Sequence, residues 1–149
     1  RVKKTPPKLQ LGNIRPVADE KTLEALIAHR YEMMAGYAKN LRKACAAEID
    51  VIKSKKGDVS VMVAAKRWLH RDEDKVPAAA APKLAQARAA HPALDKMVTM
   101  REELRQLWLN RSHSREQLTG ELQAWCQRAE SSGIAALRDF SYKLRAARA

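Results

Sequence analysis

The sequence has 149 residues, and its 29 Lys and Arg against 17 Asp and Glu give a formal net charge of +12. Aromatic residues make up only 5% and glycines number five, so the composition favours helices over sheets. A basic excess of this size favours a polyanionic partner, either nucleic acid or an anionic membrane surface. No apolar run approaches the ~20 residues that a membrane span needs. Because the chain begins at Arg1 instead of Met, we expect a piece of a larger protein.

Residues 1–18 are basic and contain several residues that break regular structure. The positive charges are Arg1, Lys3, Lys4, Lys8 and Arg15. No acidic residue accompanies them, and Pro6, Pro7 and Gly12 interrupt any helix or strand. We predict an extended basic linker, with a disordered tail as the alternative. A basic segment on the cytoplasmic side of a membrane helix has the same composition.

Residues 19–54 are predicted to form one long helix. Its apolar positions, at steps of three and four, are Leu23, Ile27, Tyr31, Met34, Ala38, Leu41 and Cys45, and Ile52 follows two such steps later. This spacing places them on one face of a helix. Three lysines follow at positions 53, 55 and 56, where cations suit the helix dipole, and Gly57 is expected to end the helix.

Shorter helices are predicted after Gly57. We expect one from about Ser60 to His70, a weakly packed alanine-rich helix from near Pro82, and one over 94–110. Ser114 and Gln117 fit a capping box for the next helix, and Gly133 fits a left-handed cap before the last one. The prediction is an all-α fold, with a long N-terminal helix followed by shorter helices in an irregular bundle. Residues 19–149 would form the helical domain, with a C-terminal helical subdomain at about 93–148.

Large apolar side chains at helical spacing indicate where the core should lie. The predicted core residues are Trp108, Leu118, Leu122, Trp125, Ile134, Leu137 and Phe140. Trp68 also falls on an apolar stripe, so packing is the favoured interpretation for it as well. Stacking on nucleic acid would instead place aromatic side chains among basic residues on one exposed face. Only Tyr142, beside Lys143, comes near that pattern.

No pattern in the sequence indicates a catalytic or metal site. The histidines at positions 29, 70, 91 and 113 form no pair at a spacing of three or four residues, which a metal pair on a helix requires. Phosphate-binding loops, nucleophile elbows and zinc-protease motifs do not occur. The acidic pairs stand among Lys and Arg, which is typical of solvated ion pairs. We therefore assign no catalytic residue, no metal ligand and no cofactor to this chain.

Two stretches resemble a known family. They are RVKKTPPKLQLGNIRPVADEKTLEALIAHRYEMMAGYAKNLRKAC and LRQLWLNRSHSREQLTGELQAWCQRAESSGIAALRDFSYKLRA. Together they resemble the C-terminal cytosolic region of proteobacterial membrane fatty-acid (acyl-CoA type) desaturases. The resemblance implies a parent di-iron oxidoreductase that introduces a double bond into an acyl chain. The histidine boxes that bind its iron are not in this sequence, so the chain would be an accessory region.

The desaturase resemblance also implies a location and partners. The chain would lie at the cytoplasmic face of the bacterial inner membrane, with Arg1, Lys3, Lys4, Lys8 and Arg15 as membrane-proximal contacts. Its partners would be its own catalytic membrane domain, the anionic lipid surface and an acidic electron-transfer protein. Each well-placed basic residue would favour anionic lipid by about 1 kcal/mol. Non-specific binding of nucleic acid is expected only at low salt.

A second resemblance leads to a different class of protein. The segment LQAWCQRAESSGIAALRDF is similar to the C-terminal helices of some bacterial transposases. Those enzymes carry an Asp-Asp-Glu catalytic set on a ribonuclease-H-like fold with alternating strands. This sequence has no such strand pattern, so the alternative is a helical nucleic-acid-binding region of a transposase.

Overall fold

The computed structural model describes residues 20–110 and 113–146. Its helices are α1 Glu20–Ala28, α2 Arg30–Ser54, α3 Ser60–Trp68, α4 Ala81–Ala90, α5 Pro92–Leu109, α6 Arg115–Glu130 and α7 Ala135–Arg145. Two short 3₁₀ turns, Glu73–Lys75 and Ala78–Ala80, lie between α3 and α4. The described residues contain no strand, which confirms the all-α prediction. The expected linker at 1–18 lies outside the described residues, as do its basic residues Arg1, Lys3, Lys4, Lys8 and Arg15.

The helix expected over 19–54 is divided at His29 into α1 and α2. The guanidinium of Arg30 donates to the carbonyl oxygen of Ile27 at 2.6 Å. In a continuous α-helix, that carbonyl accepts instead from the backbone N–H of residue 31. The side chain of Arg30 therefore satisfies a carbonyl at the end of α1. The regular spacing of apolar residues in the sequence did not indicate this interruption of the helix.

The chain divides into two compact units. Of the described residues, the terminal unit contains 20–30, 110 and 113–146, and the central unit is Tyr31–Leu109. The described helices of the terminal unit are α1, α6 and α7, whereas the central unit contains α2 to α5. The division after Arg30 falls next to the interruption between α1 and α2.

Helix α2 ends through a left-handed residue, but that residue is not the glycine. Lys56 has a φ of 59°, whereas Gly57 follows it and donates its N–H to the carbonyl of Ile52 at 2.9 Å. A Cβ at position 57 would lie 2.9 Å from a methyl group of Ile52. Gly57 is therefore needed because the chain passes close to Ile52.

In the central unit, α2 and α5 are joined by a buried hydrogen bond. The hydroxyl of Tyr37 on α2 donates to the carbonyl oxygen of Met97 on α5 at 2.6 Å. Burial, the largest effect on this phenol, raises the pKa of Tyr37 far above its ordinary value. The apolar side chains of Leu41 and Cys45 on α2 and of Leu104 on α5 are also buried. Burial likewise raises the pKa of the Cys45 thiol to about 11.

In the terminal unit, helix α6 begins and ends at the signals that the sequence predicted. Ser114 and Gln117 form the capping box, since each side chain accepts from the other residue's backbone N–H. Gly133 has a φ of 80°, a left-handed conformation that favours glycine, and α7 begins two residues later. The ring of Trp125 on α6 meets that of Phe140 on α7 edge to face, with centroids 5.9 Å apart.

The seven predicted core residues differ in burial. Leu122, Trp125, Leu137 and Phe140 are buried, whereas Trp108, Leu118 and Ile134 are only half-buried. The half-buried three all lie near the ends of helices: Trp108 in the last turn of α5, Leu118 in the first turn of α6 and Ile134 just before α7. The indole N–H of Trp108 is buried, and no hydrogen-bond acceptor for it lies among the described residues.

Candidate functional site

Two exposed arginines pack on a tryptophan at the end of α3. The guanidinium carbons of Arg67 and Arg71 lie 5.1 Å and 5.8 Å from the ring centroid of Trp68. Both arginines are exposed, and Trp68 is half-buried. The backbone N–H of Arg71 donates to the carbonyl of Trp68 at 3.0 Å, and this turn returns Arg71 to the ring. We call Arg67, Trp68 and Arg71 the Arg–Trp cluster.

The pKa of His70, which lies within this turn, reflects the charges around the Arg–Trp cluster. Its pKa is lowered first by burial and then by the charges of Arg42, Arg71 and Arg101. Arg42 lies on α2 and Arg101 on α5, so positive charge from separate helices converges on this turn. Asp72, which is paired with Arg101, offsets part of this positive charge, and the charges of Arg42 and Arg71 remain to disfavour a further cation at the turn.

An ion pair fixes the segment that follows the Arg–Trp cluster. Arg101 on α5 donates to the carboxylate of Asp72 at 2.8 Å, and Arg105 lies 3.4 Å from the same oxygen. The hydrogen bond from Arg101 is the largest of the effects that lower the pKa of Asp72. Arg101 is only 9% exposed, and its Nε has no acceptor among the described residues. Asp72 is thus held immediately after Arg71.

A groove opens beside the Arg–Trp cluster in the central unit. Its volume is about 890 Å³, and α3, the segment after it, α4 and α5 all contribute to its walls. Trp68 and Arg71 stand on one wall, and the exposed Ala81, Ala85 and Ala89 follow one another along α4. Small side chains on α4 leave the space open. The opposite wall, on α5, carries Val98, Thr99, Arg101, Glu102 and Glu103.

A second polar cluster, in the terminal unit, is internally satisfied. Glu130 accepts from Arg145 and from Ser141, both at 2.6 Å, and Arg145 also donates to Gln123 at 3.0 Å. The side chains of Arg145 and Glu130 are only 11% and 15% exposed. Each partner is satisfied within the cluster, so we assign it a role in holding α6 against α7.

The structure places Arg67 and Arg71 on Trp68, a contact that the sequence analysis did not predict. Trp68 was expected to pack in the core, yet it is half-buried beneath two arginines. The signal was present in the segment RWLHR, where arginines stand one residue before and three residues after Trp68. Tyr142, the aromatic residue that came nearest the stacking pattern, is half-buried. In residues 20–110 and 113–146, no group of three or more His, Cys, Asp and Glu is placed to hold a metal ion.

The chain is an all-α, strongly basic protein whose Arg–Trp cluster carries two exposed guanidinium groups. A family model described as Transposase (DDE_Tnp_ISL3) matches residues 25–149, which is most of the chain. The chain belongs to this transposase family. No curated protein and no solved structure gives a significant match.

The family assignment corrects the desaturase interpretation. The match to a transposase family overturns the expected role in a fatty-acid desaturase, with its lipid metabolism and its place at the inner membrane. None of the helices over 20–110 and 113–146 has the length and apolar character of a membrane span. Iron in the parent protein was implied by the desaturase resemblance alone. The resemblance misled because basic amphipathic helices share composition and spacing whichever polyanion they meet.

Proposed function

We propose that this chain is a helical, nucleic-acid-binding region of a transposase, and that Arg67 and Arg71 contact DNA phosphates. The observation that carries the proposal is the Arg–Trp cluster, in which one indole ring holds two exposed guanidinium groups. Membership of a transposase family supports DNA as the polyanion.

An arginine side chain must be ordered before it can bind a phosphate, and that ordering costs free energy. A free arginine side chain carries about 2 kcal/mol of rotamer entropy, much of which is lost when it grips a phosphate. Packing on Trp68 restricts Arg67 and Arg71 before DNA arrives, so less entropy remains to be lost. Their planar guanidinium groups match phosphate oxygens in geometry as well as in charge.

The surrounding charge also favours phosphate. Arg42 adds a positive charge from α2, and its effect reaches the turn that contains His70. Duplex DNA carries one negative charge per ~1.7 Å of its axis, so an exposed pair of arginines can neutralise neighbouring phosphates. Such contacts fix the orientation of a protein on DNA without reading its sequence.

The proposal is tested by duplex binding at a fixed, physiological salt concentration. Fluorescence anisotropy with a labelled duplex should show the Arg67→Gln, Arg71→Gln double variant binding roughly tenfold more weakly than the wild type. The matched control is Lys83→Gln, Lys96→Gln, which removes two exposed positive charges from α4 and α5. Circular dichroism checks that both variants fold. Equal losses in the two double variants would show that only net charge matters, and the proposal would then be wrong.

A further inference from the structure

We propose that the groove beside the Arg–Trp cluster receives an unpaired nucleotide of DNA, with its base against Trp68 and its phosphate at Arg71. The inference rests on the proposed function, because it gives the same arginine a second task on a distorted or single-stranded part of the substrate.

Trp68 and Arg71 offer the two kinds of contact that a nucleotide needs. When Arg71 leaves the indole ring to bind the phosphate, the ring is free to receive the base. Both residues line the groove, and the guanidinium carbon of Arg71 is 5.8 Å from the centre of the indole ring. Bases stack on aromatic side chains regardless of sequence, and arginine adds a contact to the backbone. A base reaches such a site only when it has left the duplex stack.

The groove has room for a base and some apolar surface to receive it, although four carboxylates also line it: Glu73, Asp95, Glu102 and Glu103. Its volume of about 890 Å³ lies within the range of clefts that hold small organic ligands. Leu84 and Val98 supply apolar surface on facing helices, and the alanines of α4 leave the space above them empty. A base can therefore lie in the groove without displacing a large side chain.

The far wall of the groove favours a base over a second phosphate. Glu102 lines the groove on α5, and its two carboxylate oxygens accept from Gln106 at 2.8 Å and from Arg105 at 3.3 Å; each oxygen can accept a second hydrogen bond. A carboxylate repels phosphate but accepts a hydrogen bond from the amino group of cytosine, the pairing that acidic side chains make with that base. Cytosine should therefore bind more tightly than thymine, which has no amino group.

The test fills the groove and leaves the arginines in place. Ala85→Leu puts a larger side chain into the groove from an exposed position of α4. The matched control is Ala90→Leu, because Ala90 is exposed on the same helix but does not line the groove. Wild type and variants, each as the full chain, are titrated with single-stranded oligo-dC, oligo-dT and a fully paired duplex.

We expect Ala85→Leu to weaken oligo-dC binding roughly tenfold, the size of one lost stacking interaction, and to leave duplex binding unchanged. Ala90→Leu should affect neither ligand. A 2-aminopurine base in the single strand should lose fluorescence on binding to the wild type and not on binding to Trp68→Leu. An Ala85→Leu variant that binds oligo-dC like the wild type would overturn the inference, as would equal affinity for oligo-dC and oligo-dT.

Failure of this inference can be told from failure of the proposed function. If duplex binding depends on Arg67 and Arg71 but single-strand binding ignores Ala85→Leu, the phosphate contact stands and the nucleotide site is wrong. If the arginine variants bind duplex no worse than the lysine control, the proposed function itself fails.

Discussion

Asp72 and Arg101 form an ion pair that joins the segment after α3 to helix α5, with a donor–acceptor distance of 2.8 Å. Arg101 is almost wholly buried, whereas the side chain of Asp72 is 37% exposed. The pair fixes the residue next to Arg71, so the Arg–Trp cluster depends on a contact that lies beside the proposed DNA-binding residues.

Removing the Asp72 carboxylate charge should destabilise the central unit. Asp72→Asn leaves a buried guanidinium with a weaker acceptor, at a cost of about 1–3 kcal/mol, reduced by the partial exposure of position 72. Urea unfolding measures this change, with the exposed Asp74→Asn as the control. Because the folded-state pKa of Asp72 is lowered, its contribution is present above the unfolded pKa and is lost as pH falls through the folded one. A variant as stable as the control would contradict the assigned role.

Truncating the buried tryptophan of α6 should be costly. Trp125 is 0% exposed and meets Phe140 edge to face, so Trp125→Ala should lose about 3–5 kcal/mol of unfolding free energy. Gln127→Ala, at an exposed position of the same helix, should change stability little. Thermal or urea unfolding distinguishes the two, and a neutral Trp125→Ala would show that α6 and α7 pack by other means.

Both cysteines should be unreactive in the folded protein. Burial is the largest effect on each thiol and raises the pKa of Cys45 and of Cys126 to about 11. At pH 8 almost no thiolate is present, and access is blocked as well. Alkylation followed by mass spectrometry should therefore give labelling only at denaturant concentrations that unfold the chain. Rapid labelling of either residue in native buffer contradicts this burial.

The sequence predicted the helices well and the site poorly, for a physical reason. Helix boundaries such as the capping box at Ser114 and the turn at Gly133 depend on neighbouring residues, so local patterns find them. The groove instead depends on which residues of α3, α4 and α5 meet, and these are distant in the sequence. Trp68 had the spacing of a core residue, and only the packed structure shows that α3 ends there with two arginines over the ring.

Duplex binding should strengthen as pH falls through the range in which His70 takes up a proton. In the free protein, burial and then Arg42, Arg71 and Arg101 lower the pKa of His70, so acid also destabilises the free fold as pH falls below the unfolded pKa. A phosphate bound at Arg71 adds negative charge nearby and raises that pKa, so the complex binds the proton more tightly. Anisotropy titrations from pH 7.5 down to about pH 5 should show tighter binding at low pH; the range extends well below the roughly 6.5 of an ordinary histidine because the pKa of His70 is lowered.

His70→Gln is the control for that pH dependence. It should reduce the effect, because glutamine cannot take up a proton in this range. If the variant keeps the full pH dependence, the proton is taken up elsewhere and DNA does not lie near this turn.

The salt dependence of duplex binding tests the central claim most directly. Each phosphate contact adds about 0.9 to the slope of log affinity against log salt concentration. The Arg67→Gln, Arg71→Gln variant should therefore have a slope shallower than that of the wild type by about 1.8. The Lys83→Gln, Lys96→Gln variant should keep the wild-type slope. An unchanged slope in the arginine variant, or an equal reduction in the lysine variant, would show that Arg67 and Arg71 do not hold DNA phosphates.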